Sequence, residues 1–133
     1  MSRILHHLSL PVSNLKRSAE MYDAALARLG FRRVAEAPGF IGYGTEAGRD
    51  QFALMEVAEV QSAQAGFHLA FGADSTANVD AFHEAACSHG ADDNGSPGLR
   101  PHYGGGYYAA FVLDPDGHHL EAVYNPRTEA GKA

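Results

Sequence analysis

Several residue types that mark particular classes of protein are scarce in this sequence. Its 133 residues include one cysteine, Cys87, and no tryptophan. A single cysteine cannot form a disulfide framework within the chain or a cluster of thiolate metal ligands. Runs of basic residues are no longer than two, at Lys16-Arg17 and Arg32-Arg33, and the net charge is −6. These features argue against a surface for nucleic acid or for an anionic membrane.

Long apolar runs are also missing. The N-terminal stretch MSRILHHLSL has no apolar segment of signal-peptide length, and no later stretch approaches the length of a membrane span. We therefore expect a cytoplasmic protein with no membrane or nucleic-acid partner. The length fits a single domain, residues 1–133, and the 45% share of hydrophobic residues is enough for a core.

Histidine, in contrast, is abundant, with eight residues, and two of them occupy matching places. The stretch His7-Leu8-Ser9-Leu10 resembles His68-Leu69-Ala70-Phe71, which lies 61 residues later. Each stretch has the composition of a strand, and a helical pattern follows each at the same distance. An internal duplication is the simplest explanation.

The whole chain follows this duplication. Module one, residues 3–61, reads as a strand, a helix capped by Asn14 and ended by Gly30, and three short strands. Module two, residues 62–126, reads as a strand over 65–73 and a helix from Ser75 to Gly90. A loop rich in glycine and proline and two strands joined by the turn Asp-Pro-Asp-Gly follow. Residues 127–133 form a tail that we expect to be frayed. Because module two repeats the order of module one, we expect eight main strands and two main helices in all.

Alternation along the strands separates apolar from polar side chains. His7, His68 and Glu121 each fall on the face opposite the large apolar residues of their strand. Taken alone, His7 or His68 is explained as a core histidine with its hydrogen bonds satisfied, and Glu121 as a carboxylate at a strand edge. Together, two imidazoles and one carboxylate form a common ligand set for divalent iron, zinc, manganese, nickel or cobalt. A concave sheet with helices outside and a hollow inside fits this pattern.

Three stretches carry a resemblance to a known family. They are ILHHLSLPVSNLKRSAEMYDAALARLGF, GFHLAFGA and AAFVLDPDGHHLEAVY. The chain resembles the vicinal oxygen chelate superfamily, the glyoxalase/bleomycin resistance protein/extradiol dioxygenase group, over about residues 3–125. The resemblance implies an α+β fold in which two paired βαβββ modules form a U-shaped cleft around a divalent metal ion. It also implies a small-molecule substrate and a homodimer.

Carried over by position, the family's metal ligands fall on His7, His68 and Glu121, while His6 points to the helix side. An ungapped count puts the fourth position at Ala53, which cannot bind a metal, and reaching Glu56 requires a gap of three residues. Glyoxalase I uses a fourth, carboxylate ligand at this position. Without it, the remaining set is similar to the facial set of extradiol dioxygenases.

The loop before the seventh strand supplies candidate substrate contacts. We expect Tyr107 to share the helix face with Phe111 and Leu113, and Tyr108 to face the cleft. The candidate substrate-binding residues are Arg100, His102, Tyr103 and Tyr108. An arginine can bind a carboxylate with two hydrogen bonds, and a tyrosine can donate to an oxyanion. A solvated turn with aromatic packing is the alternative.

Together these features favour a small metal-dependent enzyme of the glyoxalase type, similar to lactoylglutathione lyase. Glu121 is the candidate catalytic residue, as both metal ligand and proton carrier. Two alternatives stay open: an iron enzyme similar to the extradiol dioxygenases, and a metal-free protein that binds or sequesters a drug. The sequence specifies neither the metal nor the substrate.

Overall fold

The chain follows the order β-α-β-β-β twice, in a computed structural model that describes residues 3–61 and 65–129. Module one contains β1 (Leu8–Val12), α1 (Leu15–Ala27), β2 (Arg32–Ala37), β3 (Phe40–Gly44) and β4 (Phe52–Glu56). Module two contains β5 (Leu69–Gly72), α2 (Thr76–Ser88), β6 (Asp92–Leu99), β7 (Tyr108–Leu113) and β8 (His119–Tyr124). A short 3-10 helix, Pro101–Tyr103, precedes β7, and α3 (Pro126–Glu129) follows β8.

Each module forms one four-stranded mixed sheet, and the two sheets have the same topology. The strand orders are β1-β4-β3-β2 and β5-β8-β7-β6. The first strand of each module runs parallel to the last one, whereas the other neighbours are antiparallel. The predicted α+β fold of two βαβββ modules is confirmed.

The two helices repeat with the spacing of the histidines. Both have 13 residues, and the bounds of α2 follow those of α1 by 61 positions. Asn14 and Ser75 are the N-caps, and each side chain accepts a hydrogen bond from the backbone N–H three residues later, which satisfies a donor that has no partner within the helix. The duplication seen in the sequence is therefore also present in the backbone.

The helix-packed faces of both sheets meet in a single core. α1 and α2 contact each other, and buried side chains from both modules form one cluster that includes Tyr22, Leu54, Phe82 and Leu120. We call the opposite side of each sheet its free face. The helices thus lie between the two sheets. The sequence pattern predicts helices only on the outside of a hollow.

The turn between β7 and β8 joins the modules. Its first residue, Asp114, is buried and accepts a hydrogen bond of 2.6 Å from the hydroxyl of Tyr22 on α1. Asp116 accepts hydrogen bonds from the backbone N–H and the hydroxyl of Ser13. The predicted tight turn is present, since the N–H of Gly117 donates to the Asp114 carbonyl at 2.8 Å.

Three details differ from the sequence prediction. The stretch predicted as a loop contains β6, an edge strand that pairs with β7 through two irregularities and accommodates Pro97. β5 begins at Leu69, not at residue 65. The tail predicted as frayed begins within α3, and its last residues, 130–133, lie outside the described part, as do residues 62–64 at the boundary between the modules.

Within residues 3–61 and 65–129, no helix is both long and apolar enough to cross a bilayer.

Candidate functional site

Two of the three predicted metal ligands meet on the free face of module two. His68 Nε2 lies 3.1 Å from Glu121 Oε1. The Glu121 side chain is only 2% exposed, whereas that of His68 is 54% exposed. A buried carboxylate is costly without partners, so this pair requires further stabilising contacts.

The strand register explains why Glu121 faces this side. Leu120 and Ala122 are buried among the core residues, so alternation turns Glu121 to the free face. Its neighbours across the ladder are Ala70 on β5 and Phe111 on β7. His68 immediately precedes β5 and shares the orientation of Ala70, which places its ring beside the carboxylate.

Tyr107 provides the second contact of the carboxylate. Its hydroxyl donates a hydrogen bond of 2.5 Å to Glu121 Oε2, the oxygen that does not face His68. Burial, reinforced by the hydrogen bond to the Glu121 carboxylate and by its charge, raises the pKa of Tyr107, so the phenol stays protonated and acts as a donor. Tyr107 was absent from the predicted site residues.

The structure reverses the predicted orientations of Tyr107 and Tyr108. The Tyr108 hydroxyl donates to Asp80 Oδ1 on α2 at 2.6 Å, so Tyr108 faces the helix, not the cleft. Phe111 was also assigned to the wrong face, since it is paired with Glu121. The error came from assuming that large apolar residues of β7 face the helix, whereas the small or medium residues Ala110 and Val112 do so. The turn sets this register, because the Asp114 N–H donates to the His118 carbonyl and the pairs before it are Leu113 with His119 and Phe111 with Glu121.

Arg100 lies over Phe111, on the free face of module two. Its guanidinium carbon is 5.4 Å from the centre of the Phe111 ring, next to Glu121 across the ladder. Two glycines of β6 make room for it: a Cβ at Gly98 would lie 3.1 Å from Arg100 Nη1, and one at Gly95 would lie 3.0 Å from the Phe111 ring. Arg100 Nη2 donates to the Ser96 carbonyl at 2.8 Å.

An aromatic row leads from the loop to the carboxylate. The rings of His102 and Tyr103 have centres 4.1 Å apart, and those of Tyr103 and Tyr107 are 5.1 Å apart. Tyr103 is 57% exposed. His102 and Tyr103 therefore belong to the same surface as Glu121, through Tyr107.

His7 does not join this pair in a group that could hold a metal ion, among the described residues of one chain. It precedes β1, it is exposed, and its Nδ1 lies 2.9 Å from His6 Nδ1. Among the described residues, no three His, Cys, Asp or Glu side chains are grouped closely enough to hold a metal ion. His6 lines a cavity of about 260 Å³ together with the core residues Leu26 and Phe52.

Ala53 occupies in module one the place that Glu121 occupies in module two. Ser9, Ala53 and Gly42 are neighbours across the ladders of module one, as Ala70, Glu121 and Phe111 are in module two. Glu56 has another role: its Oε2 accepts a hydrogen bond of 2.9 Å from the N–H of Leu15 at the start of α1.

The donor atoms of His68 and Glu121 fit a divalent ion. Ligand atoms about 2.1 Å from one ion and 3.1 Å apart subtend about 95° at that ion, which suits octahedral or distorted tetrahedral coordination. Imidazole nitrogen and carboxylate oxygen suit zinc, nickel, iron, manganese and cobalt. The described part of one chain thus brings two donor groups together, and a stable metal site needs at least one more.

Comparison with known proteins gives consistent matches over nearly the whole chain. The family model described as "Glyoxalase/Bleomycin resistance protein/Dioxygenase superfamily" matches residues 4–122. A protein from Vibrio cholerae serotype O1 named "Probable lactoylglutathione lyase" is 33% identical over 140 residues, which cover 97% of this chain and 95% of that protein.

Solved structures share the fold. A glyoxalase/bleomycin resistance protein from Albidiferax ferrireducens is 27% identical, with a TM-score of 0.80, over 93% of this chain and all of that chain. The fosfomycin resistance protein FosX from Mesorhizobium loti is 22% identical, with a TM-score of 0.69, over 98% of each chain. A glyoxalase I mutant from Zea mays is 22% identical, with a TM-score of 0.68, over 96% of this chain and 48% of the longer maize chain.

Proposed function

This chain belongs to the Glyoxalase/Bleomycin resistance protein/Dioxygenase superfamily, and we propose that it is a metal-dependent, glyoxalase-like lyase with a lactoylglutathione lyase-like reaction. The observation that carries the proposal is the His68–Glu121 pair on the free face of module two. The relative from Vibrio cholerae supports the choice of reaction. The substrate proposed for this chain is then the adduct of glutathione with a small 2-oxoaldehyde.

The proposed active form is a homodimer in which His7 of a second copy joins His68 and Glu121. α1 and α2 contact each other in one core, so the two free faces of a chain are turned away from that core. A cleft between a module-one face and a module-two face then requires a second chain. Large apolar side chains are exposed on both modules, as an interface needs: Ile4, Leu5, Met55, Phe67, Leu99 and Tyr103.

In this proposed site the protein residues bind and orient the substrate, and one of them moves a proton. The bound ion would act as a Lewis acid on neighbouring substrate oxygens and stabilise an enolate. Glu121 would carry the proton from one carbon to the next, because Ala53 leaves no carboxylate at the equivalent place of module one. Its Oε2 keeps a second lone pair beside the hydrogen bond from Tyr107, so this oxygen is the proposed proton carrier, while Oε1 faces the metal position. Arg100, whose guanidinium lies over Phe111, is the proposed contact for an anionic end of the substrate. His102 and Tyr103, whose rings lie side by side, are the proposed contacts for the rest of the substrate.

A second candidate is an iron-dependent oxygenase. The observation in its favour is Ala53, since a set of two histidines and one glutamate is typical of iron enzymes that leave positions open for oxygen and substrate. In that case the substrate carries two adjacent oxygens on an aromatic ring.

One experiment separates these functions. The purified protein is stripped of metal, reloaded anaerobically with nickel, zinc or iron, and assayed for formation of the lactoylglutathione thioester and for oxygen consumption with catechols. Thioester formation that depends on nickel or zinc is the expected result. Oxygen uptake that depends on iron supports the second candidate. If none of the ions binds tightly, both proposals fail and a metal-free drug-binding protein is favoured.

A further inference from the structure

The two oxygens of the Glu121 carboxylate have different partners. Oε1 lies 3.1 Å from His68 Nε2, and Oε2 accepts the 2.5 Å hydrogen bond from Tyr107. The side chain is almost completely buried, so water cannot easily replace either partner. A hydrogen bond to an ionised acceptor is roughly twice as strong as one between neutral groups. Tyr107 therefore restrains Oε2 firmly.

The position of the Tyr107 hydroxyl is fixed by the backbone around it. The Tyr107 carbonyl accepts a hydrogen bond of 2.8 Å from the N–H of Arg100, which closes the loop. Gly106, before it, has φ of 81°, and a Cβ there would lie 2.6 Å from Cγ of Pro126 at the start of α3. The turn can therefore pack against α3 only with glycine at position 106, and this turn points the tyrosine inward.

A carboxylate can bind a metal through one oxygen or through both. Attachment through both oxygens would use an additional coordination position. Binding two neighbouring oxygens of a substrate needs two open positions, so single-oxygen attachment favours the proposed chemistry.

We propose that Tyr107 is a positioning residue that holds Glu121 Oε2 and leaves Oε1, beside His68, as the one carboxylate oxygen available to the metal. This inference rests on the proposed metal site. In this role Tyr107 does not contact the metal; it determines how many oxygens of Glu121 the metal can bind.

The test compares cobalt binding by the wild-type protein and by Tyr107→Phe. The variant keeps the ring and loses only the hydroxyl. We expect its cobalt affinity to fall by about 10- to 100-fold, as for other groups that orient metal ligands. We also expect its visible absorption bands to weaken and shift, because attachment through both oxygens raises the coordination number. Tyr108→Phe is the matched control, since its hydroxyl contacts Asp80 on α2, and it should keep the wild-type spectrum and affinity.

The outcomes are distinguishable from those of the proposed function. If the wild-type protein binds no cobalt, the metal site fails and this inference fails with it. If the wild-type protein binds cobalt and Tyr107→Phe has the same affinity and spectrum, the role of Tyr107 alone is refuted. Infrared difference spectra of the wild-type protein with and without zinc provide a measurement that needs no folded variant. Carboxylate bands of two-oxygen attachment there would overturn the inference, and bands of single-oxygen attachment support it.

Discussion

Ala53 and Glu121 occupy equivalent places in the two sheets. Ala53 is paired with Ser9 on the first strand of its module, and Glu121 is paired with Ala70, which is the residue 61 positions after Ser9. Equivalent positions of the two modules therefore hold a small residue, Ala53, and a carboxylate, Glu121. The modules have kept the same backbone while their contributions to chemistry have diverged, and module two holds the acidic group.

The first prediction concerns the ligand role of His68. We expect His68→Ala to lower zinc affinity by at least about tenfold, because removing a ligand costs no less than removing a group that only orients one. Isothermal titration of the metal-free protein measures this change.

His6→Ala is the control for the histidine substitutions, since the neighbouring His7 is the proposed ligand. The His6 variant should keep most of the affinity. If it loses as much as His7→Ala does, the assignment between these two neighbours is wrong. Wild-type affinity in His68→Ala would remove His68 from the site.

The second prediction concerns the shared cleft. His7→Ala and His68→Ala should each bind little metal alone. When the two variants are unfolded together in equal amounts and refolded, half of the dimers are mixed, and each mixed dimer has one intact cleft. About a quarter of the wild-type metal content should return. Metal analysis of the refolded protein, with native mass spectrometry to count mixed dimers, measures this. Mixed dimers without recovered metal would contradict a cleft built from two chains.

Much of the fold was accessible from the sequence because local signals agreed with each other. Asn14 and Ser75 are good N-caps, and both do cap their helices. The alternation around Glu121 gave its correct face because both neighbouring residues, Leu120 and Ala122, are apolar. The pairing of His68 with Glu121 followed from the family resemblance, and the two are adjacent in the structure.

The sequence predictions that disagree with the structure concern features that depend on packing between distant segments. β6 has the composition of a loop, and only its pairing with β7 makes it a strand. Tyr107 and Tyr108 are neighbours of the same type, so composition cannot tell which one faces α2. The register of the hairpin decides this point, and Phe111 opposite Glu121 fixes it. Whether His7 reaches the pair within one chain depends on how the modules pack, which no local pattern reveals.

The third prediction concerns the free face of module one. A Cβ at Gly42 would lie 2.6 Å from Cβ of Asp50, so Gly42→Ala must displace the segment before β4. We expect a loss of about 1–3 kcal/mol in the free energy of unfolding, as for other overpacked sites. Gly72→Ala is the matched control, since a Cβ there meets nothing within 4 Å. Urea denaturation measures both variants. Equal stabilities would show that the Asp50 segment yields at little cost.

The last prediction concerns pH and the contact between Tyr22 and Asp114, which joins the modules. Tyr22 is 1% exposed, and burial, with the nearby Asp114 carboxylate, raises its pKa well above the usual value of 10.0. Below pH 10 the phenol is protonated in both the folded and the unfolded chain. Above pH 10 the unfolded chain releases this proton while the folded chain keeps it, so the unfolded state binds fewer protons. The free energy of unfolding must then fall as pH rises, by about 1.4 kcal/mol per pH unit for this one group.

Tyr22→Phe isolates that contribution. Near pH 8 the variant should be less stable than the wild type by about 1–3 kcal/mol, because buried Asp114 loses a hydrogen-bond donor. Above about pH 10 the difference in the free energy of unfolding should shrink, because only the wild-type protein loses the stability that the protonated Tyr22 contributes. Tyr43, whose pKa is also raised by burial and by its hydrogen bond to Asp23, is present in both proteins and cancels from the comparison. Urea denaturation at several pH values between about 8 and 11 gives the two curves, and parallel curves above pH 10 would show that the Tyr22 proton does not contribute to alkaline stability.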